Sequence, residues 1–298
     1  MNKLSVTSIV LSIVSLIVAI VALTVAIMSR NVQPVAELSR CQIAPTVSKD
    51  LSSTDDYLET THGLNMKMVY VEGGTFQMGA TSEQGSDADG DEKPVHSVTL
   101  DSYYIGECEV TQAQWEKVMG TTLSQQQRKS DFDWGLVGVG DNYPMYYVSW
   151  HDAQAFCEKL SQLTGRTYKL PTEAQWEYAA RGGNKSHGYK YSGSNNLSSV
   201  AWYDSNSSSQ THAVKQKQPN ELGLYDMSGN VWEWCRDWYG DYTSSSQRNP
   251  HGPSSGSFRV LRGGSWLYDA QYCRVSIRFS ITPSFSCYNY GFRVVCLP

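Results

Sequence analysis

Between Arg262-Gly263-Gly264-Ser265-Trp266 and Gly291-Phe292-Arg293 the chain runs LYDAQYCRVSIRFSITPSFSCYNY, rich in Tyr, Phe, Ile and Ser and without Lys, Glu, Met or Trp. A loop on a soluble protein ordinarily carries Lys and Glu. This composition is closer to a recognition surface, where Tyr, Phe and Ser give large contact area and adaptable hydrogen bonds at low entropic cost. The other chemistry-bearing residues are dispersed. Seven cysteines, at 41, 108, 157, 235, 273, 287 and 296, show no CxxC or Cys/His spacing, and their odd number leaves at least one thiol over or used between chains. The histidines at 62, 96, 151, 187, 212 and 251 show no paired metal spacing. Asp87, Asp89 and Asp91 crowd one loop, but Gly90 precedes the third aspartate and no glutamate closes the sequence, so the segment reads as a solvated acidic surface rather than a calcium loop.

The elements that must hold the tail are short and strongly punctuated. Apolar residues alternate over Met66 to Met78, broken at Gly73-Gly74, and again over Ser97 to Ile105, which predicts strands. Three helices have start signals. Thr111 with Gln114 forms a capping box, Ser149 caps a helix that Gly165 ends, and Pro171-Thr172 with Gln175 opens a third that stops at Gly182-Gly183. The tryptophans at 115, 150, 176, 232 and 234 fit core positions, each needing a partner for its N–H. Beyond Gly183 the chain predicts loops and short strands. The expected fold class is α+β, irregular and coil-rich.

Residues Thr7 to Met28 form an uncharged apolar run long enough, at roughly 1.5 Å per residue, to cross a bilayer core of about 30 Å. It is read as a transmembrane helix within residues 1–30; the alternative is a signal peptide, whose apolar core is normally shorter. Lys3 and the N-terminal amine weakly favour a cytoplasmic N-terminus, which places the C-terminal domain outside the cytoplasm in a single-pass arrangement. Residues 31–62 read as a polar linker and 63–298 as one folded domain. A net charge of −5 without a basic stripe argues against nucleic acid as a partner.

Six landmarks in order carry a resemblance: Val71-Glu72-Gly73-Gly74-Thr75-Phe76-Gln77-Met78-Gly79, Glu109-Val110-Thr111, Val148-Ser149-Trp150, Leu170-Pro171-Thr172-Glu173-Ala174-Gln175-Trp176-Glu177, Gly223-Leu224-Tyr225-Asp226-Met227-Ser228-Gly229-Asn230-Val231-Trp232-Glu233-Trp234 and Arg262-Gly263-Gly264-Ser265-Trp266. Together they resemble the sulfatase-modifying-factor, or formylglycine-generating enzyme, domain over roughly Gly63 to Val295. The resemblance implies a C-type-lectin-like fold. It also implies a calcium ion, with Asn230 and Glu233 as side-chain ligands and the Ser228 carbonyl as a third; turn capping by Gly229-Asn230 is the competing role. A second calcium site of the family would need side chains near Val200 and Ala201, which offer none.

Oxidases of that family bind copper between two C-terminal cysteines five residues apart and convert a substrate cysteine into formylglycine. Here the first position is Tyr268 and only the second, Cys273, is a cysteine. A phenol with a pKa of about 10 is a hard, mostly protonated oxygen and a poor copper(I) ligand. The segment 261–298 also resembles the variable region of proteins diversified by retroelements, in which randomised adenines of AAC codons yield a restricted residue set. Leu267, Tyr268, Asp269, Tyr272, Ile277, Phe279, Ser280, Ile281, Phe285, Ser286, Cys287, Tyr288 and Asn289 belong to that set, whereas Gln271 does not. All of these except Cys287 are expected to bind ligand, with Arg262, Arg274, Arg278 and Arg293 bracing the scaffold. The expected function is a membrane-anchored extracytoplasmic binding protein for a protein or cell-surface ligand; the alternative is a copper oxidase using Cys273.

Overall fold

The structure, a computed structural model, describes residues 54–131 and 134–298. The expected span Thr7 to Met28 and most of the linker lie outside the described residues, within which no helix is long and apolar enough to cross a membrane. The domain begins earlier than Gly63. β1 (Tyr57–Glu59) pairs antiparallel with β2 (Met66–Val71), and the Tyr57 ring lies 5.0 Å from that of Tyr104, so the end of the expected linker is part of the domain. Three residues are too few for their alternation to show.

Next come β3 (Gly74–Met78), β4 (His96–Leu100) and β5 (Tyr103–Gly106). The run Ser97 to Ile105 thus breaks into two strands. β2 pairs with β5 and β3 with β4, both antiparallel, so one hairpin bends through Glu72-Gly73 on one arm and Asp101-Ser102 on the other and crosses between sheets. Gly73 permits the bend, since a Cβ there would lie 2.5 Å from the Leu100 carbonyl oxygen.

The helices start and stop where local chemistry dictates. α1 (Gln112–Met119), α2 (Leu123–Gln127), α3 (Trp150–Thr164) and α4 (Glu173–Ala180) each begin with a closed capping box, on Thr111, Thr122, Ser149 and Thr172. Gly120 and Gly165 end α1 and α3 in the left-handed conformation. A one-turn helix, α5 (Leu197–Val200), follows.

The remaining strands are β6 (Tyr168–Lys169), β7 (Trp232–Trp238), β8 (Gln247–Arg248), β9 (Arg259–Arg262), β10 (Arg278–Ile281), β11 (Tyr290–Gly291) and β12 (Val295–Cys296). The sheets are β1-β2-β5-β12-β6, β10-β9-β7-β11 and β3-β4-β8. The second sheet carries the tail: β10 pairs antiparallel with β9 and β11 runs parallel to β7. β10 in the middle of the tail and β11 at its end are therefore fixed to β9 and β7, and the stretches 267–272 and 279–288 reach the surface.

Trp115, Trp176, Trp232 and Trp234 are buried, as their helix- and strand-face positions predict, while Trp150 is half-buried. Four of the five indoles find acceptors: Thr121 Oγ1 for Trp115, the Cys235 carbonyl for Trp150, Glu233 for Trp176 and the Val148 carbonyl for Trp234. Trp232 has none.

Candidate functional site

The tail is held by four buried guanidinium groups. Arg262 donates to Glu173 and Glu177 of α4 at 2.9 and 2.7 Å. Arg278 grips Glu173 through two bonds of 2.7 and 2.9 Å, and Arg274 grips Glu92 through two of 2.8 and 2.5 Å. Arg293 donates twice to Glu233, at 2.6 Å each. Planar guanidinium groups fit carboxylates in this two-point way, which fixes orientation as well as distance. Burial opposes ionisation of Glu173, but the charges of Arg278 and Arg262 prevail and hold its carboxyl down to about 2. The arginines expected to brace the scaffold do so.

Between these anchors most of the expected contact residues reach the surface. Leu267 and Asp269 are exposed, and Tyr268, Tyr272, Phe279, Ser280, Ile281, Phe285, Ser286, Cys287 and Tyr288 are half-buried. Ile277 and Asn289 are not at the surface. Ile277 is 3% exposed inside the main core, and Asn289 is 2% exposed with its amide donating to Ser265 Oγ. Each adjoins a strand that anchors the tail, where the pleat turns side chains inward, so both belong to the frame.

The half-exposed and exposed rings are joined through the buried rings of Trp232, Tyr290 and Trp266 into two strips. Tyr272, Tyr268, Trp232 and Phe279 follow one another at ring separations of 5.2, 5.8 and 5.5 Å. Phe279 and Phe285 then flank Tyr290. In the second strip Tyr288 lies between Trp266 at 5.6 Å and Trp134 at 5.5 Å. Trp134 is 61% exposed and comes from a loop far from the tail in sequence. Its backbone N–H donates to Tyr147, and Ser130 from the same region donates to the Ser286 carbonyl. Sequence reasoning missed this loop, although a tryptophan in the glycine-spaced run Trp134-Gly-Leu-Val-Gly-Val-Gly140 was a visible signal. Beneath the strips, the indole N–H groups of Trp232 and Trp266 are buried without a partner among the described residues.

The position of a copper-binding pair does not fit copper. Tyr268 is half-buried, and burial first, then the charge of Cys287, raises its phenol further above the ordinary value. Cys273 is fully buried, with burial and the charge of Asp269 pushing its thiol up to about 12. A thiol so strongly protonated is a poor ligand and nucleophile. The described cysteines are all unpaired.

The side-chain oxygens of Asn230 and Glu233, expected to hold calcium, each accept protein hydrogen bonds. Asn230 Oδ1 accepts the His212 N–H at 3.0 Å, and Asn230 turns at φ 59°, which matches the turn-capping role. Ser228 Oγ, distinct from the carbonyl expected as a ligand, donates to the Cys273 carbonyl. Both Glu233 oxygens serve Arg293, and one also serves Trp176. Two neighbouring carboxylates keep unpartnered oxygens among the described residues. Both oxygens of Glu109 and Oδ1 of Asp226 are buried without partners, and burial first, then mutual repulsion, raises Glu109, while burial raises Asp226 to about 6. Hard orphan oxygens of this kind suit a calcium ion. Asp89, Asp91 and Glu92 also converge, but around Arg274, which takes Glu92 and approaches Asp89 at 3.7 Å.

The coil-rich mixed α/β domain, with its C-terminal aromatic segment fixed against β7 and β9, agrees with the C-type-lectin-like scaffold that the resemblance implies. The chain belongs to the sulfatase-modifying factor enzyme 1-like domain family, whose pattern matches residues 55–297. It is 34% identical to a formylglycine-generating enzyme of Streptomyces coelicolor, over 76% of this chain and 87% of that one. It is 31% identical to the chaperone protein LppX of Paenibacillus barcinonensis, over 82% and 89% of the two chains. Among solved structures, Treponema denticola variable protein 1 superposes with a TM-score of 0.71 at 36% identity, covering 83% of this chain and all of that one.

Proposed function

We propose that this chain is a binding protein that presents the strips around Tyr268, Phe279, Tyr288 and Trp134 to a protein or cell-surface ligand, with Thr7 to Met28 anchoring it and the domain outside the cytoplasm. The observation that carries this reading is the contrast within one segment: half-exposed aromatic side chains stand on an arginine-clamped frame. Rigid frames with aromatic contact residues characterise recognition surfaces. Likeness to a variable protein supports the reading. We further assign Glu109 and Asp226, rather than Asn230, Glu233 and Ser228, to a structural calcium ion.

Formylglycine-type oxidation is the rival. It lacks the first thiolate at Tyr268, and Cys273 is buried and protonated. Two experiments on the full chain in a neutral detergent separate the readings. Peptides selected from a random phage-displayed library against the wild-type chain are expected to lose binding to a Trp134→Ala/Tyr268→Ala/Phe279→Ala variant that remains folded; equal binding to both removes the proposed surface. Incubation with copper, oxygen and a cysteine-containing peptide is expected to yield no aldehyde by mass spectrometry, and turnover would establish the rival.

A further inference from the structure

A cavity of about 380 Å³, within the range of small-molecule sites, opens between β4, the start of α4, the end of β7 and the loop that follows it. Asp237, His96, Glu173, Arg278, Tyr242 and Gly252 are among its lining residues. Behind it lies a buried ion network in which three carboxylates, Glu83, Glu173 and Glu177, meet three guanidinium groups, Arg181, Arg262 and Arg278. That set is balanced. Asp237 is left over: it is 4% exposed, forms no ion pair, and uses only Oδ2, which accepts the Glu173 N–H at 3.1 Å. Its Oδ1 has no partner among the described residues.

Among the other ionisable residues of the wall are His96 and Arg278. His96, 3% exposed, has its Nδ1 against the Pro94 carbonyl at 3.1 Å, and in the tautomer with the proton on Nδ1 its Nε2 accepts. Four N–H groups of Arg278 go to Glu173, Asp91 and Gly240, and its guanidinium lies 3.9 Å from the centre of the Tyr242 ring. Burying a carboxylate without an ion-pair partner is costly, and burial, with the charge of Glu173, outweighs the charges of Arg236 and Arg278 and pushes Asp237 up to about 8. A ligand that brings positive charge and several N–H donors satisfies both Asp237 Oδ1 and His96 Nε2.

We propose that this cavity binds a primary ammonium group, from a small amine or from a peptide amino terminus, with Asp237 as its counter-ion. Titration calorimetry on the full chain in neutral detergent, with n-butylamine, glycinamide and glycylglycinamide as probes, is expected to show saturable binding. The uncharged counterparts n-butanol and N-acetylglycinamide are expected to bind at least tenfold more weakly. Tighter binding of glycylglycinamide than of glycinamide marks a peptide terminus, and the reverse order a small amine. Asp237→Asn keeps an acceptor for the Glu173 N–H and is expected to lose amine binding at least tenfold. Should that variant not fold, amide shifts of Gly252 and Tyr242 in the wild-type chain on adding n-butylamine carry the test. Equal binding of amines and neutral counterparts, unchanged binding in a folded Asp237→Asn, or no saturation and no shifts in the tens of millimolar range overturns the proposal.

Discussion

Trp232 and Trp234 stand two residues apart on one strand and differ in a single bond. The Trp234 N–H donates to the Val148 carbonyl at 2.8 Å, while the Trp232 N–H has no partner and its ring supports Tyr268 and Phe279. Replacing an indole by a benzene ring removes volume at both sites, but only at 234 does it also strand a buried carbonyl. Trp234→Phe should therefore destabilise the protein by about 1 to 3 kcal/mol more than Trp232→Phe, measured by denaturant unfolding. Trp232→Phe should instead weaken the library-selected peptides. Equal stability losses would mean that the missing partner at Trp232 is of no consequence. Glu109 and Asp226 give a second test at this scale, since three of their oxygens are buried and orphaned. A cation bound only by the folded state raises the melting temperature with its concentration. Calcium should stabilise the chelator-treated wild-type chain and have no effect on Glu109→Gln; a melting temperature indifferent to calcium removes the assignment.

Helix α4 is the element on which the tail depends, because its first turn supplies Glu173 to both Arg262 and Arg278. Its N-terminus was legible as Thr172 with Gln175, one of the local signatures that also placed α1 and α3, since a cap is chemistry between near neighbours. The break of Ser97 to Ile105 into β4 and β5 was not legible, because it is imposed by Gly73 on another strand. The short α2 was legible in principle, through the same box on Thr122 and Gln125, but its five residues carry little periodicity. The pairing of α4 with the tail has a consequence in acid. Glu173 is held at about 2 in the folded protein, below its ordinary value near 4.5. The unfolded chain therefore takes up this proton first as pH falls. The stabilisation is complete above about pH 4.5 and is lost as pH drops towards about 2, with a size on the order of 3 kcal/mol. Glu173→Gln should flatten that part of the stability–pH curve, and it should also lower stability at pH 7 by about 3 to 5 kcal/mol because two buried arginines lose a partner. An unchanged acid limb would detach α4 from this role.

At the scale of the whole molecule, the sequence-derived surface and the surface in the folded chain differ at defined positions. Composition identified the segment and most of its exposed residues, because a surface built of Tyr, Phe and Ser is unusual for a loop. It did not separate Ile277 and Asn289, which share that composition but lie where β10 and β11 pull the chain into the core. Nor did it join Trp134 to the tail, since that contact bridges Trp134 and Tyr288 through the fold alone. Nor did it show that Glu109 and Asp226 keep unpartnered oxygens among the described residues, because which oxygens are taken is set by Arg293 and Trp176 arriving from elsewhere. A fold that separates frame from surface should tolerate change in one and not in the other. In one library, Leu267, Tyr268, Asp269, Tyr272, Phe279, Ser280, Ile281, Phe285, Ser286 and Tyr288 are varied together. In a second, only Ile277 and Asn289 are varied. Despite ten altered positions, the first should retain a large fraction of protease-resistant members, because half-exposed side chains lose only part of their buried area. The second should retain few beyond conservative replacements, since a cavity at Ile277 costs about 2 to 5 kcal/mol and an unpaired polar group at Asn289 about 1 to 3. Comparable survival in the two libraries would show that the tail is one packed unit, and the division between anchored frame and open surface would not stand.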